Sequence, residues 1–276
     1  MEKIVFADSW EGYFSDLGLK TFDDFYNYGD AIAVNKNRKR NVQRLTFGTE
    51  TEPCVFFMKR FHKPHLKDML AARRACETLV CQAGVEWHNA RFLLKNGIGV
   101  YQPVCMGRRT RWAVEVDSFF VTKELDAVCL RDFVLDRWQG LDRREQENIL
   151  IAVANLARTM HQLGIAFPDL TIWHIFFTPQ TLPDCCDLSV IDLHRMSRGV
   201  RSRRRKVRDL SKLCWSMLPE YFDDDHRRLL LDTYFAGYSP SRREVLKRVI
   251  ERYETVLNSR HTSQRYYKKI PQFKST

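Results

Sequence analysis

Asp169, His174 and Asp192 stand in two short apolar-flanked segments, Phe167-Pro168-Asp169-Leu170-Thr171-Ile172-Trp173-His174 and Val190-Ile191-Asp192-Leu193-His194. Phosphoryl transfer asks for such a pairing. One carboxylate accepts the proton of an attacking hydroxyl while a second holds a metal ion against the phosphates, so strands and tight loops must bring the two together. Asp169 fits the proton acceptor. His174 follows it by five positions, the spacing at which kinase catalytic loops carry a metal-binding asparagine, and a ring nitrogen serves there as ligand or as donor to phosphate. Asp192 closes a short apolar run and suits the magnesium position. Taken singly, His174 reads as a core histidine and Asp192 as a turn residue.

A cation for the phosphates and a carboxylate to hold it complete the set. Lys59 lies in Phe56-Phe57-Met58-Lys59-Arg60-Phe61, where strand alternation points it among aromatic neighbours. Glu86, in Val85-Glu86-Trp87-His88, is its natural partner on the next helix. Without the other residues, a surface lysine and a solvated glutamate would be the simpler reading.

The elements that must position these groups follow from periodicity. Residues 1–30 mix aromatic and acidic side chains and read as a lead-in packed on the body. Three β-rich runs, 31–34, 42–47 and 54–61, are separated by polar turns. A helical pattern over 66–95 ends at Gly97, and residues 100–106 and 112–121 read as strands. Beyond residue 124 the chain turns helical. Asp142 and Glu145 form a capping-box pair before a helix that stops at Gly164 and leads into Asp169. A strand over 188–191 precedes Asp192, and helices are expected over 207–218, 223–235 and 241–257, the last opened by Ser241 and Glu244. The expected fold is α+β and bilobal: a lead-in (1–30), a strand-rich nucleotide-binding N-lobe with one long helix (31–123), a helical lobe for catalysis and acceptor binding (124–260), and a basic aromatic tail (261–276).

Composition narrows the function classes. With 276 residues, 44% of them hydrophobic, the chain buries a large core. Its apolar runs are too short to span a bilayer and its N-terminus lacks a signal-peptide layout, so a cytoplasmic protein is expected. Eight cysteines lack paired CxxC spacing, which points to reduced, buried thiols; Cys185-Cys186 has no partner pair at zinc-ligand spacing. The net charge is +11, and residues 195–208 hold eight basic side chains and no acid. Such a run concentrates polyanions: nucleic acid, anionic lipid or phosphorylated glycan. Nucleic acid is disfavoured because no groove-reading motif accompanies the charge.

These residues resemble the lipopolysaccharide kinases of the bacterial inner core, which phosphorylate heptose or 3-deoxy-manno-octulosonic acid sugars with ATP and have a protein-kinase-like fold. The resemblance spans about residues 38–218. It is carried by Phe56-Phe57-Met58-Lys59-Arg60, Glu86-Trp87 with Gly97-Ile98, Val121-Thr122-Lys123-Glu124-Leu125, Asp169 with His174, and Val190-Ile191-Asp192-Leu193-His194-Arg195. It implies ATP and Mg2+ as cofactors, with adenine against Thr122, Glu124 and Leu125, Lys59 held by Glu86 on the α- and β-phosphates, and Asp192 with His174 on magnesium. Asp169 would take the proton of the sugar hydroxyl, and Asp209 would anchor the catalytic loop through its backbone. Arg201, Arg203, Arg204 and Arg205 would receive an anionic glycolipid or sugar acceptor at the inner face of the cytoplasmic membrane. Tyr266, Tyr267, Lys268, Lys269 and Phe273 would add peripheral contact with that face.

Two places depart from the family pattern. Phe167-Pro168 replaces the usual His-Arg before the catalytic aspartate, removing an imidazole and a guanidinium that brace the loop; Pro168 restricts it by its fixed φ instead. Where protein kinases carry a glycine-rich turn this chain has Asn35-Lys36-Asn37-Arg38-Lys39-Arg40-Asn41, so Lys39 and its neighbours would hold phosphate by side-chain charge. Other readings are a kinase of the same fold acting on a protein or another small molecule, and a nucleotide-binding pseudokinase.

Overall fold

Alternating apolar and polar residues build strands because a period of two puts successive side chains on opposite faces of a sheet. The computed structural model describes residues 1–7, 10–36, 39–49, 51–63, 81–112, 114–179, 186–261 and 263–267. Its chain divides into two compact units, Met1–Leu125 and Asp126–Thr276. The first contains β1 (Glu2–Phe6), α1 (Trp10–Asp16), α2 (Phe22–Tyr26), β2 (Ile32–Lys36), β3 (Arg40–Gly48), β4 (Pro53–His62), α3 (Gln82–Lys95), the two-residue β5 (Gly99–Val100), β6 (Pro103–Arg111) and β7 (Val114–Lys123). Six of these strands form one antiparallel sheet in the order β1-β6-β7-β4-β3-β2.

The two faces of β4 do different work. Phe56 and Met58 join Phe47 of β3, Phe119 and Val121 of β7, Phe14 of α1 and Phe22 and Phe25 of α2 in a buried aromatic core. Phe14 lies 5.2 Å from Phe56, and Phe25 stacks on Phe119 at the same separation. Burying each of these side chains contributes about 1.5–3 kcal/mol. Lys59 alternates to the opposite face, which α3 covers, with Trp87 edge-on to Phe120 at 6.3 Å.

Residues 1–30 are not a lead-in resting on the sheet. β1 is its edge strand, paired with β6 from Glu2↔Arg109 to Phe6↔Cys105, and α1 and α2 supply one layer of the core. A five-residue strand flanked by aromatic helices offers too little alternation to be read from sequence. The expected helix from residue 66 falls partly outside the described residues; its described part starts at Gln82 behind the Cys81 N-cap.

The second unit contains β8 (Val128–Cys129), α4 (Leu130–Arg137), α5 (Arg143–Gln162), β9 (Ile175–Phe177), β10 (Leu188–Val190), α6 (Arg203–Trp215), α7 (Asp224–Tyr234) and α8 (Pro240–Arg260). β9 pairs antiparallel with both β8 and β10. The Asp142–Glu145 capping box opens α5, which buries Ile149, Val153, Ala157 and Met160 at helical spacing. α7 packs on α5, and α8 packs on α6.

Two helix starts differ from expectation. α6 begins at Arg203, so the end of the basic run, from Arg203 to Arg208, is helical rather than a loop. α8 begins at Pro240 after Ser239, without a side-chain cap bond, and Ser241 and Glu244 form no box. Proline has no N–H to satisfy and a helix-ready φ, so it claims the first helical position ahead of Ser241.

The tail expectation is corrected as well. Tyr267 is buried, its hydroxyl donating to the Ser216 carbonyl at 2.5 Å, and Tyr266 stacks on Trp173 at 4.6 Å. These rings pack within the unit because Trp173 and Trp215 offer them an apolar surface. Lys268, Lys269 and Phe273 lie outside the described residues. No helix among the described residues is long and apolar enough to cross a membrane. Among the same residues Cys54, Cys81, Cys105, Cys129 and Cys214 are free thiols, the last four of them buried; Cys76 and Cys185 are not described.

Candidate active site

A charged pair marks the α3 face of the first unit. Glu86 is wholly buried, and its Oε2 accepts from Lys59 Nζ at 2.6 Å and from the Tyr101 hydroxyl at 3.0 Å. Arg40 Nη2 lies 3.9 Å from Oε1. A carboxylate removed from water this completely is tolerable only when paired and hydrogen-bonded. Strand alternation delivers Lys59, helix α3 delivers Glu86, and Tyr101 and Arg40 are partners that sequence reasoning did not name. Thr122, opposite Phe57 in the β4/β7 register, is buried. Glu124 is exposed, its amide donating to the Val55 carbonyl at 2.9 Å, and Leu125 ends the unit. Lys39 is exposed; of its neighbours, Asn37 and Arg38 are not described.

The second unit gathers Asp169, His174 and Asp192. The loop after α5 is pinned at several points. Ala166 and Ser197 exchange two backbone hydrogen bonds at 2.9 Å, Leu170 N–H closes a turn onto the Phe167 carbonyl, and Ile172 N–H donates to Ser216 Oγ at 3.1 Å. Buried Asp209 on α6 accepts the Phe167 amide at 2.7 Å through Oδ2. The Ile191 amide donates to the His174 carbonyl at 3.0 Å, tying the strand before Asp192 to the same loop. Asp192 has φ 62°, a left-handed conformation costly for a residue with a Cβ and concentrated at functional turns.

Within this frame the Asp169 carboxylate is buried and doubly paired. Its Oδ1 accepts from Lys212 Nζ at 2.8 Å and from Arg195 Nη1 at 2.9 Å. Burial alone would raise its pKa, but the Lys212 hydrogen bond and charge, with Arg195 and His174, outweigh burial and hold it below the usual carboxylate range. Neither cation was singled out in the sequence as a partner of Asp169. Lys212 lies 43 residues away; its one signal is that it follows Asp209 by a single helical turn and so shares its face.

An imidazole and a guanidinium bear on this loop from outside Phe167-Pro168. His161 of α5 places Nε2 3.3 Å from Asp209 Oδ2 and Nδ1 2.7 Å from the Tyr234 hydroxyl. Arg195 brings its guanidinium to Asp169.

The donors fit a divalent cation. His174 Nδ1 lies 2.7 Å from the Asp169 carbonyl oxygen; a carbonyl only accepts, so Nδ1 carries the proton and Nε2 turns to Asp192 Oδ2, 3.9 Å away. Metal-ligating imidazoles take this orientation. Magnesium is held by one or two carboxylates with waters and phosphate oxygens, a demand Asp192 meets. His194 Nδ1, at 3.2 Å from Asp192 Oδ1, orients that carboxylate. Arg203, Arg204 and Arg205 are exposed in the first turn of α6, with Arg201 exposed just before it. Their charges oppose the helix dipole. Arg204 Nε donates to the Tyr253 hydroxyl at 3.2 Å, and Arg208 lies over the same ring.

A solved structure described as WaaP in complex with acyl carrier protein aligns with a TM-score of 0.72 at 24% identity, covering 92% of this chain and 99% of that chain. That likeness concerns the fold, which is α+β and protein-kinase-like. Residues 56–234 match the lipopolysaccharide kinase (Kdo/WaaP) family, and the chain belongs to that family. It is a kinase-family phosphotransferase by that membership. No match is found among curated proteins.

Proposed function

We propose that the protein transfers the γ-phosphate of ATP to a sugar hydroxyl of the lipopolysaccharide inner core, on a heptose or 3-deoxy-manno-octulosonic acid. The reading is carried by one observation: in a chain of this kinase family, the doubly paired carboxylate of Asp169 adjoins the Asp192–His174 pair in a single loop cluster. Lys59, held by Glu86, grips the α- and β-phosphates, the backbone from Thr122 through Glu124 to Leu125 receives adenine, and Lys39 adds charge for the phosphates. Asp192 and His174 hold magnesium, which when bound neutralises charge on the β- and γ-phosphates. Asp169 orients the acceptor hydroxyl and takes its proton. Arg201, Arg203, Arg204 and Arg205 receive the anionic glycolipid, which brings the protein to the cytoplasmic membrane face.

The deciding assay incubates purified protein with γ-labelled ATP, magnesium and a panel of inner-core acceptors. Label on the sugar supports the reading. Label on a protein or another small molecule assigns a different acceptor, and nucleotide-dependent thermal stabilisation without transfer assigns a pseudokinase.

The matched solved structure holds WaaP with acyl carrier protein, and by likeness this chain is proposed to bind one too. Retention of the protein on immobilised acyl carrier protein at physiological salt tests that association separately from catalysis.

A further inference from the structure

Asp169 presents its two oxygens to unlike surroundings. Oδ1 takes both cations, Lys212 at 2.8 Å and Arg195 at 2.9 Å, whereas Oδ2 is buried with no hydrogen-bond partner among the described residues. A carboxylate otherwise turns readily about its terminal torsion, which is broad and two-fold. Two cations fixed to one oxygen from different elements, α6 and the turn Leu193–Arg195, stop that rotation. The lone pairs left over belong to Oδ2. Buried polar atoms are nearly always partnered in native proteins, so an unpartnered carboxylate oxygen at the proposed base calls for a functional reason.

The two clamps are unequal. Lys212 stands on α6, one turn beyond the Asp209 that holds the Phe167 amide, and its side chain is 26% exposed. Arg195 sits in a three-residue turn and is 55% exposed, so water screens its ion pair. Thr171, two residues after Asp169, offers only a hydroxyl, which donates to the Asp169 carbonyl. The loop's own residues therefore supply no lysine or arginine to this carboxylate.

We propose that Lys212 is the positioning residue of the reaction: by holding Oδ1 it leaves Oδ2 as the oxygen that receives the acceptor's proton. The inference rests on the reading of Asp169 as base. In the step it serves, the acceptor O–H bond breaks and its proton passes to Asp169 Oδ2. The acceptor oxygen bonds to the γ-phosphorus, and the bond from that phosphorus to the β–γ bridging oxygen breaks, its electron pair leaving with ADP.

The test compares steady-state kinetics of the full-length wild type, Lys212→Met, Lys212→Arg and Arg195→Met with ATP, magnesium and inner-core acceptors, alongside melting temperatures. Lys212→Met is expected to lose about 10–100-fold in kcat, the range for removing an orienting partner, with KM for ATP and melting temperature retained. Lys212→Arg recovers most of the loss, because a guanidinium can donate to the same oxygen, and Arg195→Met loses less than Lys212→Met. The inference is overturned if Lys212→Met keeps its kcat, if the loss lies in KM for ATP, or if the Met and Arg variants fail alike with lowered melting temperatures. A wild type that phosphorylates none of the acceptors overturns the phosphotransfer reading, and the inference with it.

Discussion

The carboxamide of Asn has the shape of the Asp169 carboxylate but cannot take a proton, which makes Asp169→Asn the sharpest single change. An amide oxygen still accepts from Lys212, so the fold is expected to persist while phosphate transfer falls on the order of 10²-fold or more. Parallel measurement of turnover and melting temperature checks both halves. A second residue is expected to contribute to the response to acid. His226 belongs to the box that opens α7: its Nδ1 accepts the Asp223 amide at 3.2 Å, and Nε2 lies 3.1 Å from Gln146 Oε1. Burial, then the charge of Arg143, push its pKa below the ordinary 6.5. The unfolded chain therefore binds this proton more readily than the folded one. The stabilisation is complete above about pH 6.5 and is lost as pH falls through the lower folded value. His226→Gln keeps an acceptor for the Asp223 amide and does not titrate, so its melting temperature should fall less than the wild type's between about pH 7.5 and 5.5. Equal falls would remove His226 from the acid response.

At the scale of elements, the packing of β6 against β7 sets how the aromatic core closes. Gly107 sits under the Phe119 ring; a Cβ there would lie 2.2 Å from its Cε1. Phe119 in turn stacks on Phe25 and packs against Phe22 of α2, so the ring has little room to withdraw. Gly107→Ala is expected to cost about 1–3 kcal/mol through overpacking, read as a lower urea midpoint with unchanged slope. Part of this element-level detail was legible beforehand. The Asp142–Glu145 box declared the start of α5 because a reciprocal cap depends only on neighbours four positions apart or fewer. The edge strand β1 did not declare itself, since its pairing partner lies about a hundred residues away.

For the whole molecule, a net charge of +11 governs encounters with anionic partners more than it governs folding. Between about 0.01 M and 0.15 M salt the Debye length shrinks from about 30 Å to about 8 Å, so KM for an anionic acceptor is expected to rise with salt. A variant carrying Arg203→Glu, Arg204→Glu and Arg205→Glu should show a higher KM and a shallower salt dependence. If its salt dependence equals the wild type's, the first turn of α6 is not where the acceptor's charge is felt.

The candidate phosphotransfer residues were legible in the sequence as residue types at short spacings: a lysine in an aromatic strand, an aspartate with a histidine five positions on, an aspartate after a short apolar run; the family and its protein-kinase-like fold were expected from the resemblance that these segments carry. The expected boundary near residue 124 between strand-rich and helical halves rested on the change of hydrophobic period. Which side chains surround the carboxylates was decided only in three dimensions. Lys212, Arg195 and His161 come to Asp169 and Asp209 from helices and turns tens of residues away, and Tyr266 and Tyr267 fold onto Trp173 and Ser216 instead of facing outward. Periodicity reports which face of an element is apolar; the neighbours a buried charge acquires depend on how whole elements pack, and no local spacing records that.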